Sequence, residues 1–264
     1  MGQIPDRRAA FLRDGFVYPI DALSGAEAQA QIDRLDRYEA ETGSKPSQTL
    51  RGKGHLKPMS LYRLVHHPAV LDAVESVIGP DILCWNSSLF VKDPHDPGYV
   101  AWHQDVYDFD TEADKVVTAW VALLPSTREN GAMKVIPRSH KDRLAAHAKS
   151  PEGAATMLRD GLELAVKVDE SKADYIELAQ GQLSLHHMYI HHGSEPNASD
   201  RRRCGFAIRY VTPDVAPAVG RYGATLVRGE DRVGRFVADP VPTRDLDPAL
   251  VSYVDTFGKP RLGA

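Results

Sequence analysis

The chain has 264 residues, of which 42% are hydrophobic and 26% charged, and its formal net charge at pH 7 is −4. This composition is typical of a soluble globular protein; the acidic balance argues against a nucleic-acid partner, and no apolar run approaches the roughly 20 residues that a membrane span needs. The length suits one domain, 1–264, and an N-terminus without an apolar signal core and two cysteines outside any Cys-x-x-Cys motif predict a cytoplasmic protein.

The N-terminal third is expected to be largely helical. Residues 7–13 have the pattern of a short helix, and the apolar, β-prone residues 15–20 predict a strand. A longer helix is predicted between Ser24, as its cap, and Gly43. Residues 44–59 contain basic residues, prolines and glycines without periodicity, which indicates a loop that could cover a site. Residues 67–80 predict another helix, which ends at Gly-Pro.

From residue 81 onward the chain is predicted to be an antiparallel β-domain. Short β-branched and aromatic runs such as "DILCWNSSLFVKD", "VVTAWVALLPS" and "RCGFAIRYV" are separated by Gly, Pro, Asn and Asp. A partly charged insertion, 151–172, interrupts these runs. The proline-rich residues 239–264 are expected to form a tail along the surface.

The segment "WHQD" contains a candidate metal-binding pair. Side chains alternate on an extended segment, so His103 and Asp105 lie on one side, while Trp102 and Gln104 face away or lie near the edge of that side. The histidine-rich stretch 186–203 is the obvious source of a third ligand. Two histidines and one carboxylate leave three positions open on a metal, as in non-haem Fe(II) oxygenases. Taken alone, a His-x-Asp pair is more often structural.

Four motifs in order carry a resemblance to a known family. They are "WHQD" (102–105), "VTAWVAL" (117–123), "ENGAMKVIPRSHK" (129–141) and "HGSEPNASDRRR" (192–203). Their order and spacing resemble the phytanoyl-CoA dioxygenase family of Fe(II)- and 2-oxoglutarate-dependent oxygenases, and the likeness runs from about Phe11 to Phe236. It implies a mainly β fold with flanking helices, a double-stranded β-helix (jelly roll, cupin-like) behind a helical N-terminal third. It also implies Fe(II), the co-substrate 2-oxoglutarate and O2.

The family pattern assigns roles to individual residues. The catalytic metal ligands it implies are His103, Asp105 and His192, with His191 as a rival for the last place. The family's arginine for the distal carboxylate of 2-oxoglutarate lies eleven residues after the second histidine, at Arg203. A guanidinium suits this task because it binds a carboxylate through two parallel hydrogen bonds. Further residues resemble positions that line the co-substrate pocket: Ser194, Gln104 and Trp120.

The strand that begins at Arg203 supports this assignment independently. If Arg203 points inward, alternation places Gly205, Ala207 and Arg209 on the same face. Small residues between two arginines leave volume for a ligand, whereas a purely structural strand would more often fill that space. The opposite face, with Cys204, Phe206, Ile208 and Tyr210, is expected to pack against the N-terminal helices.

The substrate is the least defined part of the prediction. We expect hydroxylation of an unactivated C–H bond in a small polar or anionic metabolite (amino-acid-like, betaine or organophosphonate), with release of succinate and CO2. Candidate substrate residues are Arg209, Tyr107 and Lys92, and the basic loop 51–57 could add positive charge. Asp105 argues against a halogenase, because the resemblance implies that related halogenases have a small residue in place of this carboxylate. The alternatives are an acyl-CoA hydroxylase of the same family and a non-catalytic β-barrel binding protein.

Other features of the sequence bear on chemistry and assembly. There is no His-Glu-x-x-His helix and no Gly-x-Ser-x-Gly elbow, so hydrolysis is disfavoured. The usual Gly-Ser-His of the family reads Arg138-Ser139-His140, and this turn receives no predicted role. A homo-oligomer is compatible with the sequence.

Overall fold

A computed structural model describes residues 6–105, 113–158, 161–216 and 222–257. Its helices are α1 (Arg7–Asp14), α2 (Gly25–Thr42), α3 (Pro46–Thr49), α4 (Met59–Val65), α5 (Pro68–Ile78) and α6 (Pro248–Phe257). Helix α2 begins where its cap was predicted, because Ser24 and Glu27 form a reciprocal capping box. It ends at Gly43, whose φ of 65° is readily adopted only by residues without a Cβ.

Most of the remaining chain is β-structure. The strands are β1 (Phe16–Asp21), β2 (Ile82–Lys92), β3 (Val100–His103), β4 (Val116–Ala122), β5 (Met133–Val135), β6 (His147–Lys149), β7 (Leu162–Leu164), β8 (Asp174–Ile176), β9 (Gln182–His187), β10 (His192–Ser194), β11 (Arg203–Val211), β12 (Gly223–Arg228) and β13 (Val237–Ala238).

The strands form two principal sheets. The larger sheet has the order β1-β9-β4-β11-β2-β12-β13, and the smaller one has the order β3-β10-β5-β8. Every neighbouring pair is antiparallel except β12 and β13. Strands β6 and β7 pair with each other and flank these sheets. The chain is therefore mostly β with additional helices.

The larger sheet has a structural face and a pocket face. On the structural face, the β11 residues Cys204, Phe206, Ile208 and Tyr210 join one buried cluster with apolar residues of α2, α4 and α5. On the opposite face, Trp120 and Ala207 pack against Met133, Val135 and Ile176 of the smaller sheet. The predicted division of β11 into helix-facing and inward residues is confirmed.

Two regions differ from the sequence-based expectation. Residues 44–59, expected to be a loop, contain α3 and a 3-10 turn at Gly54–Leu56, and α4 begins at Met59. The C-terminal segment, expected to be a tail, contains α6, whose Leu250 and Val254 are buried. Asp247 accepts a hydrogen bond from the Ala249 amide and Pro248 occupies the first turn, a helix-start signal that the surrounding prolines obscured.

Within the parts of the chain described above, no helix is both long enough and apolar enough to cross a membrane.

Candidate active site

Strand pairing brings the two predicted histidine ligands together. Strand β3 ends at His103 and β10 begins at His192, and the antiparallel register sets these residues directly opposite each other. Their ring centroids are 4.0 Å apart. Asp105 follows two residues after His103, and its backbone amide donates to the Met188 carbonyl at 2.9 Å. A single strand pair and one anchored turn thus assemble the cluster.

The three side chains converge on one point. His103 Nε2 lies 3.8 Å from Asp105 Oδ1, and His192 Nε2 lies 4.0 Å from Asp105 Oδ2. One ligand atom from each residue lies within 4.8 Å of the others, and all three residues are buried. The sequence-based choice of His192 over His191 agrees with this geometry, because the cluster does not include His191. His103, Asp105 and His192 therefore form a possible metal site.

Backbone contacts set the tautomer of both imidazoles, and burial keeps them neutral. His103 Nδ1 lies 2.9 Å from the Ala101 carbonyl and His192 Nδ1 lies 3.0 Å from the Ile190 carbonyl, so each Nδ1–H donates outward. Burial lowers the pKa of His103 to about 4, and burial together with the neighbouring His103 holds the pKa of His192 well below its usual value. Both Nε2 atoms consequently keep a free lone pair at neutral pH, as metal ligation requires.

Three side chains orient the carboxylate of Asp105. Arg209 Nη2 donates to Oδ1 at 2.7 Å, Thr118 Oγ1 donates to Oδ2 at 2.9 Å, and His186 Nε2 lies 3.4 Å from Oδ2. Burial by itself would raise the pKa of Asp105, but the Arg209 charge and the His186 contact outweigh it and hold that pKa well below the usual range. The carboxylate therefore stays ionised.

This donor set fits Fe(II). Two neutral imidazoles and one ionised carboxylate match the two-histidine, one-carboxylate pattern of non-haem iron sites, and the second nitrogen of each histidine is held by a carbonyl. The partners of Asp105 correspond to the outer hydrogen bonds that usually fix a ligating carboxylate.

The cluster lines a pocket between the two sheets. Besides the three candidate ligands, the pocket is lined by Phe90, Val100, Thr118, Trp120, Met133, His186, Gly193, Ser194, Arg203, Ala207 and Arg209. Ser194 and Trp120 thus line the same pocket as the three candidate ligands.

Arg203 is buried in this pocket, and no described residue provides a counter-ion for it. It is 3% exposed, and its Nε and Nη1 atoms have no hydrogen-bond partner among the described residues. Its guanidinium lies over the Trp120 ring at 4.7 Å. Burial lowers the pKa of Arg203 to about 10, which still leaves it cationic at neutral pH. Unpaired buried donors on a cation are costly, so this end of the pocket suits a carboxylate.

Gly205 makes room for that arrangement. A Cβ at Gly205 would coincide with the Trp120 indole, so only glycine allows the ring to lie against β11 beside Arg203. The space beside Gly205, which was expected to be open to a ligand, is filled by an aromatic ring from the neighbouring strand.

Gln104, which was expected to line the co-substrate pocket, is not among the described residues that line it. Its side chain is fully buried away from the pocket, with Nε2 donating to the carbonyls of Arg143 and Tyr189 at 2.7 and 2.6 Å. Its Oε1 accepts from the Ala145 amide at 2.9 Å. Gln104 points away from His103 because of strand alternation, and it anchors the segment that precedes β6.

The candidate substrate residues differ in their position relative to the pocket. Arg209 lines the pocket, where its side chain is 15% exposed and paired with Asp105. Lys92 is fully buried and is not among the residues lining the pocket. Tyr107 lies outside the described residues.

Two pocket residues were not identified from the sequence. Thr118 and His186 lie opposite each other on β4 and β9, and Thr118 also lies opposite Arg209 on β11. The three side chains therefore form one row across the larger sheet, beneath Asp105. The row can be recognised only from the strand register, although alternation along β4 already places Thr118 on the same face as Trp120.

The basic loop 51–57 is built into the structure. Lys53 Nζ is buried and pairs with Asp239 Oδ2 at 2.8 Å, and it also donates to the carbonyls of Trp85 and Gly223. The Gly52 and Lys53 amides donate to the side chains of Ser88 and Asn86 on β2. The charge of Lys53 is thus already neutralised inside the protein.

The turn Arg138-Ser139-His140 has structural contacts. Ser139 Oγ accepts from the His191 amide at 2.8 Å, and His140 Nε2 lies 3.2 Å from the Leu12 carbonyl. The turn therefore links the start of β10 to α1.

Comparison with known proteins agrees with the fold and the site. The model of the family "Phytanoyl-CoA dioxygenase (PhyH)" matches residues 11–205. The solved structure of a non-haem monooxygenase, ThoJ, is 36% identical, with 95% of this chain and 94% of that chain covered and a TM-score of 0.81. CytC3 with Fe(II) and α-ketoglutarate, 22% identical with 92% and 95% covered and a TM-score of 0.66, shares the fold.

Two curated relatives differ in the substrates that their names give. A probable α-ketoglutarate-dependent hypophosphite dioxygenase of Stutzerimonas stutzeri is 26% identical over 79% of this chain and 75% of its own length. The human peroxisomal phytanoyl-CoA dioxygenase is 28% identical over 58% of this chain, and the match spans 46% of its length.

The cupin-like fold and its buried cluster define a 2-oxoglutarate-dependent non-haem iron dioxygenase, which uses Fe(II), 2-oxoglutarate and O2. Because the family model matches most of its length, the chain belongs to the phytanoyl-CoA dioxygenase family.

Proposed function

We propose that this enzyme hydroxylates an unactivated C–H bond of a small polar or anionic metabolite, with His103, Asp105 and His192 holding Fe(II) and Arg203 binding 2-oxoglutarate. One observation carries the proposal. A buried cluster of two histidines and one aspartate shares a pocket with a buried guanidinium, two of whose nitrogen atoms have no hydrogen-bond partner among the described residues.

The bound iron supplies the chemistry that couples conversion of 2-oxoglutarate and O2 into succinate and CO2 to oxidation of the substrate. The chain's own residues prepare the site. His103 and His192 present neutral Nε2 atoms, while Arg209 and Thr118 hold the carboxylate of Asp105. Arg203 and Ser194 bind and orient the co-substrate. Phe90 and Met133 provide apolar pocket walls that limit access of water.

The substrate class rests on the pocket and on one relative. Arg209 adds positive charge to the pocket wall, and the relative from Stutzerimonas stutzeri is named for a small phosphorus oxyanion. Amino-acid-like compounds, betaines and organophosphonates fit the same description. An acyl-CoA hydroxylase is favoured by the human relative's name, but the pairing of Lys53 with Asp239 removes one charge that a CoA phosphate would need.

The finer architecture belongs to the same proposal. We assign the fold as one domain, a double-stranded β-helix behind a helical N-terminal third. Helices α1–α5, all between residues 7 and 78, support the second part, although β1 among them joins the larger sheet.

An anaerobic titration tests the proposal without knowledge of the substrate. Metal-free protein receives Fe(II) and then 2-oxoglutarate, and the visible absorption of the iron–ketoacid complex is recorded. Wild type should give the band, His192→Ala should abolish it, and Arg203→Ala should require much more 2-oxoglutarate. Iron binding without any band in wild type would contradict the proposal. A succinate-release screen over anionic metabolites and acyl-CoA thioesters then separates the two substrate classes.

A further inference from the structure

Lys92 lies opposite Arg203, which lines the pocket. It is the last residue of β2, and the antiparallel register places it directly opposite Arg203, the first residue of β11. Residues directly opposite in such a pair project to the same face of a sheet. Lys92 is fully buried.

The described partners of the Lys92 amino group are neutral. Nζ donates to Ser194 Oγ at 2.8 Å and also to the Glu195 carbonyl oxygen. Burial and the charge of Arg203 lower the pKa of Lys92 to about 6, whereas Asp96 and Glu195 oppose this and Lys134 adds to it. Two basic groups are therefore buried next to each other without a carboxylate in contact, an arrangement that an incoming anion would stabilise.

The hydroxyl of Ser194 connects Lys92 to the pocket. Because Ser194 Oγ accepts from Lys92, its own proton is available for another acceptor. Ser194 lines the pocket together with Arg203, whose Nε and Nη1 lack partners in the described part of the chain. A carboxylate bound there can accept from both the guanidinium and the hydroxyl.

We propose that Lys92 is a positioning residue for the distal carboxylate of 2-oxoglutarate, acting through the hydroxyl of Ser194. The inference rests on the proposed binding of 2-oxoglutarate at Arg203. Lys92 does not touch the co-substrate; it fixes the direction of the Ser194 O–H bond, and a carboxylate bound nearby favours the protonated form of its amino group.

The test compares two keto acids. 2-Oxoglutarate and 2-oxopentanoate have the same chain length and the same chelating end, but the second acid ends in a methyl group. Each is titrated anaerobically into Fe(II)-loaded wild type, Lys92→Met, Ser194→Ala and the double variant. The iron–ketoacid absorption gives the Kd. Lys134→Met is the matched control, because this buried lysine pairs with the side chains of Glu170 and Glu195.

We expect Lys92→Met to raise the Kd of 2-oxoglutarate by about tenfold or more, the usual scale for a lost charge-assisted hydrogen bond. Its affinity for 2-oxopentanoate should stay within about twofold, since that acid has no distal carboxylate for Ser194 and Arg203 to bind. In the Ser194→Ala background the Lys92 substitution should add little. Lys134→Met should bind both acids as wild type does.

Three results would overturn the inference: unchanged 2-oxoglutarate affinity in Lys92→Met, equal weakening of both acids, or additive effects in the double variant. The second would mark Lys92 as a structural residue. Failure of the proposed function looks different, because wild type itself would then give no band with 2-oxoglutarate. Thermal unfolding of each variant shows that the proteins compared are folded.

Discussion

Arg209 donates a 2.7 Å hydrogen bond to Oδ1 of Asp105, so an arginine predicted to meet substrate is bonded to a predicted metal ligand. Arg209 belongs to the larger sheet and Asp105 to the turn that follows β3 of the smaller sheet. Thr118, opposite Arg209 on β4, donates to the other oxygen of Asp105. The larger sheet thus supports the carboxylate, while the smaller sheet supplies both histidines.

This pairing makes stability and metal binding interdependent. Arg209→Met would leave the buried Asp105 charge without its main partner, which typically costs roughly 3 kcal/mol of unfolding free energy. A divalent ion replaces part of that positive charge. We therefore expect a lower Tm for metal-free Arg209→Met and a larger rise in Tm on adding Co(II) than in wild type.

Arg209→Lys, which keeps the charge, should lie between wild type and Arg209→Met. Arg202→Met is the control for loss of a peripheral arginine, since Arg202 pairs with Asp36 at the protein surface. Equal Co(II)-induced shifts in wild type and Arg209→Met would contradict the coupling.

Adjacent histidines provide a second test. His192 belongs to the cluster and His191 does not. His192→Ala should abolish Co(II) binding, measured by the visible d–d absorption, because two ligands hold the ion poorly. His191→Ala should retain binding within about threefold, with the difference reflecting local packing only. Loss of binding in both variants would show that the segment, rather than one ligand, controls the site.

The sequence predicted the site more completely than its surroundings. Short-range alternation suffices to place His103 and Asp105 together, and the spacing of the family pattern places His192 and Arg203. The contacts of Gln104 with Tyr189 and of Lys92 with Ser194 depend on long-range register and on which side of a strand faces the pocket. Helix α6 was missed because its prolines suggest a loop although Pro248 only starts a helix.

The backbone contacts of Gln104 predict that its replacement lowers stability and leaves the candidate site intact. Gln104→Leu removes three hydrogen bonds to the backbone of residues 143–145 and 189 and leaves those groups unpaired. Each unpaired buried group costs about 1–3 kcal/mol, so we expect at least roughly 2 kcal/mol of destabilisation by urea unfolding. The Kd of 2-oxoglutarate measured on folded protein should stay near the wild-type value. A large increase in that Kd would indicate that Gln104 contributes to co-substrate binding.

Gly205→Ala should damage the co-substrate end selectively. The added methyl group would occupy the position of the Trp120 indole and displace the ring from Arg203. Overpacking of this kind costs about 1–3 kcal/mol. We expect weaker 2-oxoglutarate binding with unchanged Co(II) binding, because both histidine ligands lie on the smaller sheet. Ala207→Gly, a nearby change that adds no atoms, is the comparison, and equal effects of both substitutions would contradict a steric cause.

Lys92 makes the stability of the metal-free protein depend on pH. Its pKa is about 6 when folded, against about 10.4 for an unperturbed lysine, so between these values the unfolded chain binds the extra proton. Stability is therefore lost as pH falls from about 10 towards 6, with a slope of at most about 1.4 kcal/mol per pH unit from this group. We expect the unfolding free energy of wild type, relative to Lys92→Met, to rise between pH 7 and pH 9 in urea titrations. Parallel pH profiles for the two proteins would mean that Lys92 keeps its proton in the folded state, with Asp96 and Glu195 compensating its charge.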